Sequence, residues 1–216
     1  MVQEEVDLRQ PRDQPSLLWG LVRTARPKQW LKNVLVFAAP GAAGVIGEAR
    51  PLRNTLIALV AFCAAASGTY FLNDAADVES DRRHPTKRRR PVAAGVVPVT
   101  TARIVGAALL AGGVGVAFTA RWQLGLTIVV YAVLTSLYSG ILKHIAVVDI
   151  VAVAAGFVLR AVAGAAATGV PISNWFFIVA SFGALFMVGG KRLAEAHQIG
   201  DDAAQLRSTL GEYTEG

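Results

Sequence analysis

The sequence is short of charge. Lys, Arg, Asp and Glu make up 17% of its 216 residues, against 54% hydrophobic residues, and the mean hydropathy is +0.47. An ordinary soluble domain carries about 25% charge, so that class is excluded, and a soluble binding module with it. Cysteine is nearly absent. Cys63 stands alone in an apolar run, forms no internal disulfide and receives no role. No small-residue cleavage pattern follows the first apolar run, which argues against a signal peptide.

What the sequence has instead is long apolar runs. A membrane span takes about 20 mostly apolar residues. Residues 54–72, 104–120, 122–142 and 175–190 contain no Lys, Arg, Asp or Glu. Residues 145–172 are apolar apart from Asp149 and Arg160, and 34–47 is a shorter first candidate. The expectation is an all-α integral membrane protein with six transmembrane helices, in which residues 1–16 form a polar tail and 17–216 the transmembrane domain. Glycines inside the runs, such as Gly112 and Gly113, suit close helix packing in lipid.

The basic residues are distributed unevenly over the two sides. With the N-terminus inside, Arg23, Arg26, Lys28, Lys32, the bases of 82–90, Arg103, Lys143, Lys191, Arg192 and Arg207 share its side, whereas Arg50, Arg53 and Arg121 face the other. This predicts a cytoplasmic N-terminus in the cell's inner membrane. The formal charge of +6 is thereby a topological signal, and no soluble face is left to carry nucleic acid. Assembly into a homo-oligomer is compatible with the sequence.

The same topology brings four polar clusters to the cytoplasmic side: 26–33, 73–90, Lys143 with His144, and 191–197. In the second, Asn73, Asp77 and Asp81 are spaced four apart, so a continuing helix puts them on one face. Such a row of hard oxygens suits Mg2+, which keeps waters and is completed by phosphate. A plain acidic helix end is the alternative, but several carboxylates beside lipid are costly without a cation. Among the bases that follow, Arg82, Arg83, Arg88 and Arg89 read as topological signals near anionic head groups. Lys87 and Arg90, in a loop stiffened by Pro85 and Pro91, read as phosphate ligands. Trp30 and Lys32 read as an interfacial anchor, and Lys28 as an anchor or a phosphate ligand.

Asp149 and Arg160 share a face of the fifth span about 16 Å apart along its axis, so each needs a partner elsewhere or a wet cavity. Arg160, deeper in the membrane, is the stronger functional candidate. Tyr70 and Tyr138 sit at span ends before polar clusters, and serve either as interfacial belt or in a site.

At these residues the chain resembles the UbiA superfamily of intramembrane prenyltransferases. The resemblance rests on the row Asn73 to Asp81, the run His84-Pro85-Thr86-Lys87-Arg88-Arg89-Arg90-Pro91, Tyr138 with Lys143, and Arg160. The wording of 26–33 and 84–91 resembles one branch of it, which transfers phosphoribosyl from phosphoribosyl diphosphate to decaprenyl or another polyprenyl phosphate for cell-wall arabinan. The family's second aspartate-rich row is replaced here by a basic loop at 191–197, in keeping with additional phosphate. The resemblance implies a nine-helix fold, of which six helices are expected in this chain.

The resemblance implies Mg2+ as cofactor, phosphoribosyl diphosphate and a polyprenyl phosphate lipid as substrates, and the following roles. Asn73 and Asp77 hold the metal, with Asp81 a further ligand or positioning group. Lys87, Lys143 and Lys191 bind phosphate oxygens, supported by Arg90 and Arg160. Asp77 or Asp74 faces the ribose hydroxyls, and Lys28 and Tyr70 hold the lipid phosphate. The rival expectations are a prenyltransferase using a prenyl diphosphate and an aromatic acceptor, and a small transporter or scaffold.

Overall fold

The computed structural model describes residues 16–145 and 147–199, with side chains described as far as residue 194. Among the described residues there are helices and no strands. The α-helices are α1 Leu17–Ala25, α2 Ala38–Ala42, α3 Ala49–Ala76, α4 Val78–Arg83, α5 Val99–Ala120, α6 Trp122–Gly140, α7 Val148–Thr168 and α8 Asn174–Ile199. A 3-10 stretch, Pro27–Phe37, joins α1 to α2, and shorter 3-10 turns lie at Lys87–Arg89 and Leu142–His144.

Five helices are long and apolar enough to cross a membrane: α3, α5, α6, α7 and, over Asn174–Ala194, α8. The first of the six expected spans is different. Residues 34–47 divide among the end of the 3-10 stretch, the five-residue α2 and a turn at Val45–Gly47. Pro40, Gly41 and Gly44, the last with φ +71°, interrupt any continuous helix there.

Interior and periphery separate by burial. About half of the spanning window is buried in α3 (56%) and α7 (50%), against 22% in α5 and α6 and 17% in α8. The first two therefore form the centre, and the other three present apolar side chains such as Phe118, Val133, Phe182 and Phe186 to the surroundings, as lipid tails favour. Small residues set the contact distances. A methyl on Gly68 would meet the Gly106 carbonyl of α5 at 2.7 Å, and one on Gly113 the Ala61 carbonyl of α3 at 2.8 Å. A methyl on Gly164 of α7 would collide with the Val36 carbonyl. The core fills around Phe62, Leu124, Ile128 and Tyr131.

Helix α3 carries the fold's functional consequence. Its 28 residues reach roughly 42 Å at 1.5 Å each, beyond a hydrocarbon core of about 30 Å. Its last turns, bearing Asn73 and Asp74, therefore project to the membrane surface. There α1 is docked across it: Gly20 is buried against Val96 and Val97, and Leu21 and Ala25 pack on the cluster of Phe71, Ala75, Val92 and Val97.

Candidate functional site

The aspartate row survives a break in the helix. Helix α3 ends at Ala76 and α4 begins at Val78, yet the four-residue hydrogen-bond step continues through the junction. The Asp77 N–H donates to the Asn73 carbonyl at 2.9 Å, and the Asp81 N–H to the Asp77 carbonyl at 2.8 Å. Asn73, Asp77 and Asp81 accordingly line one cavity of about 880 Å3, along with Asp74.

Their environments differ. Asp74 and Asp81 are buried and committed to arginines. Asp74 Oδ1 accepts from Arg26 Nη2 at 2.7 Å and Arg90 Nη1 at 3.2 Å, while Arg90 Nη1 also donates to Asp81 Oδ2 at 2.8 Å. Asp77 is more open, with 39% of its side chain exposed, and its ion-pair contact is Lys143 Nζ at 3.8 Å. That is a weak pairing at a wet surface. Asn73 donates its amide to Ser139 Oγ at 2.6 Å, which directs one end of the amide to α6 and leaves its oxygen for another partner.

The opposite wall is built by α6 and α7. Arg160 is 7% exposed and is held by neutral groups: Nε donates to Asn33 Oδ1 at 2.8 Å, Nη1 to the Gly156 carbonyl at 2.6 Å and Nη2 to the Tyr131 hydroxyl at 3.1 Å. It faces the cavity and has no carboxylate partner among the described residues. A cation held that way in a low-dielectric wall attracts an anion. Asp149 has the opposite arrangement. It is fully buried, Arg192 Nε of α8 donates to its Oδ2 at 2.8 Å, and the Tyr138 hydroxyl donates to its Oδ1 at 2.8 Å. The two charged residues of α7 thus find separate partners, as their spacing requires.

Tyr70, Lys87, Arg90, Tyr138, Lys143 and Arg160 all line the large cavity. Lys28 is exposed and lines neither cavity described here. Lys191 is exposed too, and the expected basic loop at 191–197 is instead the end of α8, which runs to Ile199; residues 191–199 extend the helical repeat of the span without a glycine or proline until Gly200. The side chains beyond 194, His197 included, lie outside the described residues.

Several site residues had no sequence signal of their own. Lys32, expected at the interface, lines the large cavity with its ammonium 5.8 Å from the Phe157 ring centroid. Partial burial, then the charges of Lys191 and Arg160, lower its pKa. Arg26 stacks on Tyr70 at 4.4 Å as well as binding Asp74. It sits at the α1 C-cap with φ +53°, a left-handed conformation that costs a non-glycine residue about 1 kcal/mol and turns the chain so that this side chain faces α3. Trp30 donates its indole N–H to Ser67 Oγ at 3.0 Å and fastens the 27–37 stretch to α3.

A divalent metal fits part of this arrangement. Among the described residues no cluster of three or more His, Cys, Asp or Glu is arranged to hold an ion. The available donors are the Asn73 oxygen and the open Asp77 carboxylate. Few hard protein ligands beside open space suit Mg2+, whose remaining positions go to water and phosphate.

A helical membrane bundle with a polar cavity at one end, walled by an aspartate row and bases, defines the class of protein. The chain belongs to the UbiA prenyltransferase family, which it matches over residues 34–211. It is similar to the decaprenyl-phosphate phosphoribosyltransferase of Corynebacterium glutamicum, 48% identical over 199 residues that cover 90% of this chain and 60% of that protein. To the enzyme of that name from Mycobacterium tuberculosis it is 46% identical over 207 residues, covering 92% of this chain and 67% of the relative. The chain thus spans roughly three-fifths to two-thirds of the length of these curated relatives. In fold it is similar to a UbiA homolog from Archaeoglobus fulgidus bound to GPP and Mg2+, with a TM-score of 0.69 at 21% identity over 89% of this chain and 66% of that one.

Proposed function

We propose that this chain forms the catalytic cavity of a Mg2+-dependent decaprenyl-phosphate phosphoribosyltransferase, open to the cytoplasmic face of the inner membrane. Phosphoribosyl diphosphate is the donor and a polyprenyl phosphate the acceptor. The bond between ribose C1 and the diphosphate oxygen breaks, a bond from C1 to an oxygen of the lipid phosphate forms, and diphosphate leaves. The observation that carries this reading is the charge of the cavity wall, which holds six Lys and Arg side chains against three Asp. A prenyl diphosphate and an aromatic acceptor together bring one strongly anionic group, whereas the phosphoribosyl reaction brings three. The similarity to named phosphoribosyltransferases supports the same choice.

In this reading Asn73 and Asp77 hold Mg2+. Bound there, it supplies positive charge to the departing diphosphate. Lys143 binds the diphosphate oxygens with charge-assisted hydrogen bonds that strengthen as negative charge grows, and Lys87 binds a phosphate of the same donor. Asp81 fixes Arg90 over the row, and Asp74 is the carboxylate nearest in place to orient ribose hydroxyls. The acceptor phosphate, already an anion near neutral pH, needs no strong base. Arg160 and Lys32, which line the cavity, receive it. Tyr138 orients groups at the Lys143 end through its hydrogen bond to Asp149.

The test is transfer itself. Vesicles containing the protein are supplied with labelled phosphoribosyl diphosphate, polyprenyl phosphate and Mg2+, and labelled lipid is expected. Absence of lipid label, combined with turnover of a prenyl diphosphate and an aromatic acceptor, assigns the chain to the ordinary prenyltransferases.

A further inference from the structure

A second, smaller cavity of about 370 Å3 lies beside the first and shares Arg26, Asp74, Lys87 and Arg90 with it. On the shared wall the two arginines are paired, Arg26 with Asp74 and Arg90 with Asp74 and with Asp81 of the large cavity, whereas Lys87 has no carboxylate partner among the described residues. Beyond the wall the small chamber adds Arg23, Thr86 and Arg89. Arg23, Lys87 and Arg89 have no carboxylate partner among the described residues. Three cations from two separate segments therefore converge on a concave space that holds no uncommitted carboxylate.

The placement is fixed by packing. Buried Gly20 seats α1 on Val96 and Val97, so Arg23, one turn further on, stands over the loop that carries Lys87 and Arg89. Arg23 also lies 4.8 Å from the Trp19 ring centroid, which restrains it from the other side. Sequence alone assigns Arg89 to topology, but a topological base needs no chamber.

We infer that this chamber binds a phosphomonoester, the 5-phosphate of the donor, so that one phosphoribosyl diphosphate straddles the shared wall. Its diphosphate lies with Asp77 and Lys143, its ribose against Asp74, and its 5-phosphate with Arg23, Lys87 and Arg89. The inference rests on the phosphoribosyl reading and extends it. It explains why two arginines are spent on one carboxylate: they hold Asp74 rigid between the two anion sites. The other source of a phosphomonoester is the lipid acceptor, and α1 exposes Leu18 and Val22 beside the chamber, within reach of head groups as well.

The experiment compares wild type with the double variant Arg23→Gln/Arg89→Gln in zwitterionic vesicles, measuring binding of labelled ribose 5-phosphate, inhibition by pyrophosphate with Mg2+, and KM for each substrate. Losing two charge-assisted contacts is expected to weaken ribose 5-phosphate and raise the donor KM by about tenfold to a hundredfold. Pyrophosphate inhibition and the polyprenyl phosphate KM stay within about twofold, and Arg23→Lys/Arg89→Lys recovers part of the loss. Asp77→Asn does the reverse, weakening pyrophosphate while ribose 5-phosphate still binds.

Unchanged ribose 5-phosphate binding in the double variant overturns the inference. A rise confined to the polyprenyl phosphate KM also overturns it, giving the chamber to the acceptor, and displacement of ribose 5-phosphate by phosphatidylglycerol vesicles gives it to membrane head groups. Failure of the two readings is separable. Binding through Arg23 and Arg89 without any transfer to lipid keeps the phosphate site and rejects the enzyme reading, while transfer with an unshifted donor KM does the opposite.

Discussion

The two walls of the large cavity treat charge in opposite ways. On the α3 wall three aspartates stand within eight residues, two of them bound to arginines and the third, Asp77, open. On the α7 wall the single carboxylate, Asp149, is buried and taken up by Arg192 and Tyr138, while Arg160 is held by neutral groups alone. One wall therefore offers an oxygen donor to a metal, and the other keeps an uncancelled positive charge. In the proposed reading the α3 wall takes the diphosphate with its metal and the α7 wall takes the second anion.

The largest effect that tests this contrast is at Asp77. Asp77→Ala removes the open carboxylate, and a loss of about a thousandfold or more in transfer rate is expected, with the thermal unfolding midpoint in detergent little changed because Asp77 is half-exposed. On the other wall, Asp149→Ala removes the carboxylate that pairs with buried Arg192 at 2.8 Å. A destabilisation of about 3 to 5 kcal/mol is expected, read by thermal unfolding in detergent, and Asp149→Leu/Arg192→Met recovers much of it. Tyr138→Phe leaves that pair intact but takes one hydrogen bond from the buried carboxylate, so a smaller destabilisation of about 1 to 3 kcal/mol is expected, with the rate falling about tenfold, measured as kcat at saturating substrates.

The smallest effect is a pH shift at Lys32. Its folded pKa is lowered by burial and by Lys191 and Arg160, so as pH rises the cation is lost earlier than from an ordinary lysine. Acceptor binding through Lys32 then weakens on the alkaline side and is complete at lower pH. Lys32→Arg, which stays charged, is expected to move that alkaline limb upward in a profile of kcat/KM for polyprenyl phosphate.

The sequence showed the α3 wall more clearly than the α7 wall. Asn73, Asp77 and Asp81 are legible because their four-residue spacing is a local helical property, and it persists across the α3–α4 junction. Arg160 is legible as an intramembrane charge, but its partners Asn33 and Tyr131 are 127 and 29 residues away, and no periodicity connects them. The same holds for Arg26, which meets Asp74 across 48 residues through a left-handed C-cap that local propensity disfavours. Arg23 and Arg89 read as topological bases because only the docking of α1 at Gly20 brings them to one chamber. The first apolar run differs from a span for a local reason, as Pro40 and the glycines around it split it into short turns. The basic segment at 191–197 is helix and not loop for the converse reason: polar residues can continue a helix that an apolar span has begun.

The division between the walls is tested most directly by one matched measurement of rate against Mg2+ and against polyprenyl phosphate in Asp77→Glu and Arg160→Lys. Asp77→Glu is expected to raise the Mg2+ needed for half-maximal rate and leave the lipid KM in place, while Arg160→Lys raises the lipid KM and leaves the Mg2+ requirement in place. If both substitutions shift the same parameter, the cavity does not assign its two substrates to opposite walls.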